Sequence, residues 1–251
     1  MSLKDTLTEL RLTVGSWITL AHPAIAEIMA KAGFEWLAVD LEHSVITIRE
    51  AEELIRVINL CGVAPLVRLT SNHQDQIKRV MDAGAHGIIV PMVNSKEDAE
   101  KAVSAVYYPP KGQRGVGLAR AQGYGSDFEG YRAWLNDEAV VIVQVEHIES
   151  VDNLKAILSV EGVDGFIVGP YDLSASMGRP GQFDHPDMTV VMKEIHAVSK
   201  SLNKSGGLHI IEPDKIRLRQ CIEEGYNFLA YSLDIRMLDN ACREGLKTHE
   251  H

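Results

Sequence analysis

Short apolar runs alternate with amphipathic stretches along this chain, and the punctuation between them is regular. Helix-compatible sequence ends in a small residue plus Gly, and a β-rich run follows. The cadence recurs in KAGFEWLAVD (31–40), LCGVAPLVRL (60–69), DAGAHGIIVP (82–91), VEGVDGFIVG (160–169), KSGGLHII (204–211) and EEGYNFLAYSL (223–233). Gly33, Gly62, Gly84, Gly162 and Gly225 read as residues just past helix ends, where positive φ is cheap for Gly. The segments before them carry helical spacing, as in Ile77, Val80 and Met81, or Val191, Ile195, Val198 and Leu202. With VGSWITL (14–20) and AVVIVQVE (139–146), eight strands are predicted, each followed by helix-compatible sequence.

Strands buried on both faces read as continuous apolar runs, and strict β–α alternation implies a parallel sheet. Eight units in 251 residues suit one α/β domain, a (βα)8 TIM barrel with an eight-stranded parallel sheet. The rival is a doubly wound open sheet. It would usually carry a Gly-rich turn after its first strand, and ITLAHPAIAEI has none. One segment breaks the cadence: residues 107–138 form a long Gly-, Pro- and Arg-rich insertion before strand 5. By chain order it leaves from the bottom of the barrel, so it reaches an active site only by wrapping round or entering a neighbouring subunit.

Composition narrows the function. A net charge of −10 disfavours nucleic acid and anionic membrane surfaces as partners, because both demand clustered positive charge. Cys61, Cys221 and Cys242 form no CxxC pair and read as reduced thiols. MSLKDTLTEL lacks the apolar core of a signal peptide, and no run approaches the ~20 apolar residues needed to span a bilayer. A cytoplasmic protein is expected.

In such barrels chemistry sits at the C-terminal ends of the strands. Those positions hold Trp17, then Asp40, Glu42 and His43, then Arg68, Pro91, Gln144 and Glu146, Asp172, His209 and Glu212, and Asp234. Glu146 closes strand 5 and Asp172 follows strand 6. Two hard oxygen ligands side by side on one rim suggest a divalent-metal site, since two buried acids without a cation would repel each other. Asp40 near His43 suggests a carboxylate orienting a general base, or only a turn cap beside a surface histidine. Arg68 reads as a fixed cation for an oxyanion, or as a salt-bridge partner of Asp40 or Glu42. His209 reads as core or supporting, and His147 as a loop residue. No Lys lies at a strand end, which disfavours a Schiff base. No Gly follows strands 7 and 8, which disfavours phosphate or flavin binding, so no organic cofactor is expected.

The motifs VDLEH (39–43), LVR (66–68), GIIVPMV (87–93), YYPPKGQRGVG (107–117), VQVE (143–146) and GPYDLSASMG (169–178) together resemble the HpcH/HpaI aldolase family over roughly residues 12–240. The resemblance implies a class II aldolase that cleaves a 4-hydroxy-2-oxo acid to pyruvate and an aldehyde through a metal-bound pyruvate enolate. It implies Glu146 and Asp172 as ligands of Mg²⁺, Mn²⁺ or Co²⁺, His43 as base, Arg68 as transition-state stabiliser and Asp82 as the acid that raises the basicity of His43. Gln144 and Tyr171 would contact the pyruvyl part, with Trp17 at the strand-1 end nearby. Asp172 lies just before LSASMG, a plausible helix start. Arg114 or Arg120 would either recognise a second carboxylate or form an interface salt bridge. A homo-oligomer, usually a hexamer with an exchanged C-terminal helix, is implied too.

Three positions depart from the family pattern: Tyr171 where Ala is frequent, RLT (68–70) where RPV is frequent, and His209 where a small or apolar residue is common. Two other readings fit the same residues. One is a metal-enolate lyase like the citryl- or malyl-CoA lyases, and the other is a non-catalytic oxo-acid-binding barrel.

Overall fold

In the computed structural model, which describes residues 1–247, eight parallel strands close on one another in chain order. They are β1 (Thr13–Ile18), β2 (Trp36–Asp40), β3 (Ala64–Arg68), β4 (Gly87–Val90), β5 (Val140–Val145), β6 (Gly165–Val168), β7 (Ser205–Ile210) and β8 (Phe228–Leu233). The (βα)8 expectation holds, and β1 pairing with β8 excludes the open sheet. Between and around the strands run α1 (Leu3–Thr8), α2 (Pro23–Lys31), α3 (Ile48–Leu60), α4 (Gln74–Asp82), α5 (Lys96–Val106) and α6 (Phe128–Glu138). They continue with α7 (Ile148–Asp152), α8 (Leu154–Leu158), α9 (Pro170–Ser176), α10 (Pro186–Leu202), α11 (Lys215–Glu223) and α12 (Asp234–Leu246).

Side chains alternate across each strand, so one set fills the barrel and the other packs on the helices. Trp17, Trp36, Ala38, Leu66, Ile89, Ile142, Ile167, Phe228 and Ala230 form the inner cluster. Trp36 stacks on Phe228 with ring centroids 4.4 Å apart, and Gly15 leaves the room: a Cβ there would run into the Trp36 indole. Leu37, Val39, Val67, Ile88, Val141 and Val143 point outward into the larger cluster shared with the helices.

The barrel floor is closed by α1, whose Leu7 joins the inner cluster. Lys4 pins this helix, donating to the Ala139 carbonyl at 2.8 Å and lying 3.2 Å from the Asp164 carboxylate. The five glycines all have positive φ, between 80° and 106°. Four directly follow the capping residues of α2, α3, α4 and α11, but Gly162 lies in the turn beyond the Ser159 cap of α8.

The insertion is not a plain loop. A 3-10 segment at Arg120–Gly125 leads into α6, which Asp127 caps and whose Tyr131 and Leu135 are buried at helical spacing. Gly and Pro dominate its first half and mask that helix in the sequence. Among the described residues, no helix is long and apolar enough to cross a membrane.

Candidate active site

Parallel pairing sets Asp40 level with Arg68 at the C-terminal ends of β2 and β3. Both are buried, and the Arg68 fork grips the carboxylate, Nε donating to Oδ1 at 2.9 Å and Nη2 to Oδ2 at 2.6 Å. Asp40 Oδ1 also accepts the backbone N–H groups of Glu42 and His43, at 3.0 and 3.2 Å. Asp40 therefore shapes the turn and aims Arg68. It does not orient the His43 ring. The carboxylate beside that ring is Glu42, whose Oε2 lies 3.8 Å from His43 Nε2 and 3.5 Å from Arg68 Nη1. His43 itself is exposed at the rim.

Opposite stands the carboxylate pair. Register between β5 and β6 brings Val145 against Val168, so Glu146 and Gly169 follow at one level. Glu146 is buried; its Oε1 accepts the Met92 N–H at 2.7 Å, and its Oε2 accepts from the Gln144 amide. Met92 holds a left-handed φ of 51°, uncommon outside glycine, in the residue that donates this N–H. Asp172 sits in the first turn of α9, which begins at Pro170, earlier than the sequence suggested, and it is exposed. Gly169 makes the junction possible, because a Cβ there would press to 3.2 Å from Glu146 Cβ.

Acidic groups crowd this rim. Burial pushes the Glu42 carboxyl up to about 7; Arg68 opposes the shift, while Glu146, Asp40 and Asp172 add to it. Glu146 is also raised, by burial first, against its bonds from Gln144 and Met92, with Asp172 contributing. Glu42 Oε2 and Gln144 Oε1 are buried without hydrogen-bond partners. The charge crowding that raises Glu42 and Glu146 is what a divalent cation held by Glu146 and Asp172 would relieve. Among the described residues no group of three or more His, Cys, Asp or Glu is arranged to hold a metal. An ion here would take two protein carboxylates and draw the rest of its shell from substrate and water.

The remaining candidates distribute differently. Trp17 is 1% exposed, and its ring lies 4.4 Å from the Arg68 guanidinium, so it is packing under the site and not an open wall. Tyr171 is exposed, and its ring meets Phe183 edge-on at 4.8 Å. Asp82 does not meet His43 within this chain. It ends α4, at the opposite rim, and lies 3.7 Å from Arg114. Arg114 is itself buried between Tyr108 and Tyr131, and Arg120 donates to the Ala83 carbonyl and to Asn59. Both arginines fasten the insertion to the barrel's lower rim.

His147 caps α7. Asp234 accepts from the Thr19 and Leu20 backbone, which ties β1 to α12, and Glu212 pairs with Arg236. From sequence Glu42 reads only as a salt-bridge partner of Arg68, a contact the structure shows at 3.5 Å, and Met92 carries no signal. Glu42 was visible within VDLEH, but nothing local distinguishes it from Asp40.

Comparison with known proteins agrees with the architecture. The family model described as HpcH/HpaI aldolase/citrate lyase matches residues 13–241. A 2-keto-3-deoxy-L-rhamnonate aldolase of Escherichia coli (strain K12) is 36% identical over 245 residues, which is 97% of this chain and 91% of that protein. The crystal structure of an HpcH/HpaI aldolase/citrate lyase family protein from Burkholderia cenocepacia J2315 superposes with a TM-score of 0.92 at 33% identity, covering 98% of both chains. An HpcH/HpaI aldolase from Desulfitobacterium hafniense DCB-2 gives 0.90 at 32%, covering 99% of this chain and 96% of that one.

Proposed function

The chain belongs to the HpcH/HpaI aldolase/citrate lyase family, and we propose that it is a divalent-metal-dependent carbon–carbon lyase cleaving a 4-hydroxy-2-oxo acid to pyruvate and an aldehyde. The observation that carries this reading is one rim shared by two groups. An arginine locked by Asp40 stands with His43 and Glu42, opposite the carboxylates Glu146 and Asp172. The 36%-identical relatives named for a 2-keto-3-deoxy sugar acid support a hydroxylated substrate of that class.

Glu146 and Asp172 would hold the cation, which when bound supplies Lewis-acid polarisation of the keto group. His43, with Glu42 beside it, takes the proton from the 4-hydroxyl. The C4 oxygen becomes the aldehyde carbonyl as the C3–C4 bond breaks, and its electron pair passes into the pyruvyl fragment. Arg68, held rigid, supports the negative charge on the former keto oxygen, a role worth about 3–4 kcal/mol for one well-placed donor. A proton delivered to C3 completes pyruvate. Gln144 steadies Glu146 and the pyruvyl end.

We read the protein as a homo-oligomer. Asp234 is the one buried residue of α12, while Ile235, Leu238 and Leu246 are exposed, a face that asks for a partner. For Asp82 to act on His43 it must come from a second copy, because the two lie at opposite rims. Cys61, Cys221 and Cys242 are unpaired, which suits the cytoplasm.

The test is pyruvate release from a racemic 4-hydroxy-2-oxo acid with Mn²⁺ or Mg²⁺, with and without EDTA. Release that stops on chelation is expected. Absence of release under every metal would remove the aldolase reading.

A further inference from the structure

His209 stands where the site still has a free acceptor. It projects inward from β7, level with Ala230 on β8 and, by the pairing of Val168 with Leu208, level with Gly169 on the other side. Glu146 follows Val145 at that same height. The upper ring of the barrel thus runs Glu146, Gly169, His209, Ala230, with the side-chain-free Gly169 between the carboxylate and the imidazole. The ring of His209 meets Trp17 edge-on at 5.5 Å, and Trp17 in turn carries the guanidinium of Arg68. These contacts fix the imidazole in the layer of the proposed catalytic arginine.

Its Nε2 is buried and has no hydrogen-bond partner. A buried polar atom left so is costly unless a ligand or water takes it up. Burial, with Arg68 adding, lowers this histidine from 6.5 to about 4, against a hydrogen bond to the Ser232 backbone. The ring is neutral at physiological pH, so one nitrogen is a donor and the other an acceptor.

We propose that His209 is a specificity-determining residue, whose Nε2 accepts a hydrogen bond from a hydroxyl on the part of the substrate that leaves as the aldehyde. This rests on the aldolase reading above and deepens it. Arg68, Gln144 and the β5–β6 carboxylates serve the carboxylate and keto end. His209, across the Gly169 gap, serves what extends beyond. The substrate class is a 2-oxo acid hydroxylated past C4, as in a sugar-derived acid.

The experiment compares kcat/KM for 4,5-dihydroxy-2-oxopentanoate, which releases glycolaldehyde, with 4-hydroxy-2-oxopentanoate, which releases acetaldehyde. Wild type is expected to favour the dihydroxy acid by about tenfold or more, since an unmatched buried acceptor penalises the analogue lacking the donor. His209→Leu should bring the ratio to about parity, and His209→Gln, which keeps an acceptor oxygen, should retain part of it. Mn²⁺-dependent exchange of the pyruvate methyl protons has no aldehyde part and should be equal in all three. Normal exchange with an unchanged ratio in His209→Leu, or a wild type with no preference, overturns this proposal alone. A wild type that neither exchanges nor cleaves overturns the aldolase reading and this inference with it.

Discussion

Asp40 and Arg68, 28 residues apart in the chain, face each other across adjacent strands as a buried two-pronged pair, with contacts of 2.9 and 2.6 Å. A planar guanidinium held at two points has little freedom left to rotate. Orientation is thus bought before substrate arrives.

Breaking that pair should damage both stability and rate. Asp40→Ala leaves a buried cation without its partner, a change that typically costs roughly 3–5 kcal/mol. It also frees Arg68, and small misplacements of a positioned group cost on the order of a hundredfold in rate. Urea unfolding and kcat measured on the same sample check both, and Asp40→Asn should fall between.

Removing either proposed metal ligand should weaken cation binding strongly without unfolding the barrel. Because even supporting contacts to a metal site are worth about 10–100-fold in affinity, Glu146→Gln and Asp172→Asn should each weaken Mn²⁺ at least that much. Titration followed by the signal of free Mn²⁺, with circular dichroism as the fold control, decides it. Wild-type affinity in both variants would place the cation elsewhere.

The base can be separated from the rest of the machinery. His43→Ala should slow aldol cleavage by about 10²–10⁴-fold, the usual contribution of general-base catalysis, and pyruvate proton exchange far less. Unchanged cleavage would reassign the base.

Acid should destabilise the fold through a histidine far from the site. The His86 imidazole contacts Asn59 at 3.1 Å and Trp134 at a centroid distance of 5.0 Å, and burial with nearby Arg120 lowers it from 6.5 to about 4. The unfolded chain therefore binds the proton more readily between those values. Stability from this residue is whole above about pH 6.5 and is lost as pH falls towards 4, on the order of 2–3 kcal/mol. Unfolding free energy measured from pH 7 to 4 should fall less steeply in His86→Gln than in wild type. His209 keeps contributing in the same window.

The exposed face of α12 gives a fifth outcome. Ile235→Glu with Leu238→Glu should lower the solution mass measured by light scattering and leave the circular dichroism spectrum of the barrel unchanged, because neither side chain is buried in one copy. An unchanged mass would point to a different face.

Local chemistry made much of this protein legible. Eight apolar runs, the positive-φ glycines between helix and strand, and the polar residues at strand ends are short-range patterns, and short-range sterics and burial decide them. Glu146, Asp172, His43 and Arg68 stand out in the sequence as strand-end residues for that reason, and the structure brings them to one rim. Which partner each took was settled only by closure of the barrel. Register across β2 and β3 gave Asp40 to Arg68 and left Glu42 beside His43. The antiparallel run of α4 carried Asp82 to the far rim and into contact with Arg114, and inward packing buried Trp17 under Arg68. Such choices depend on which side chains meet across tens of residues, and periodicity along a chain carries no record of that distance.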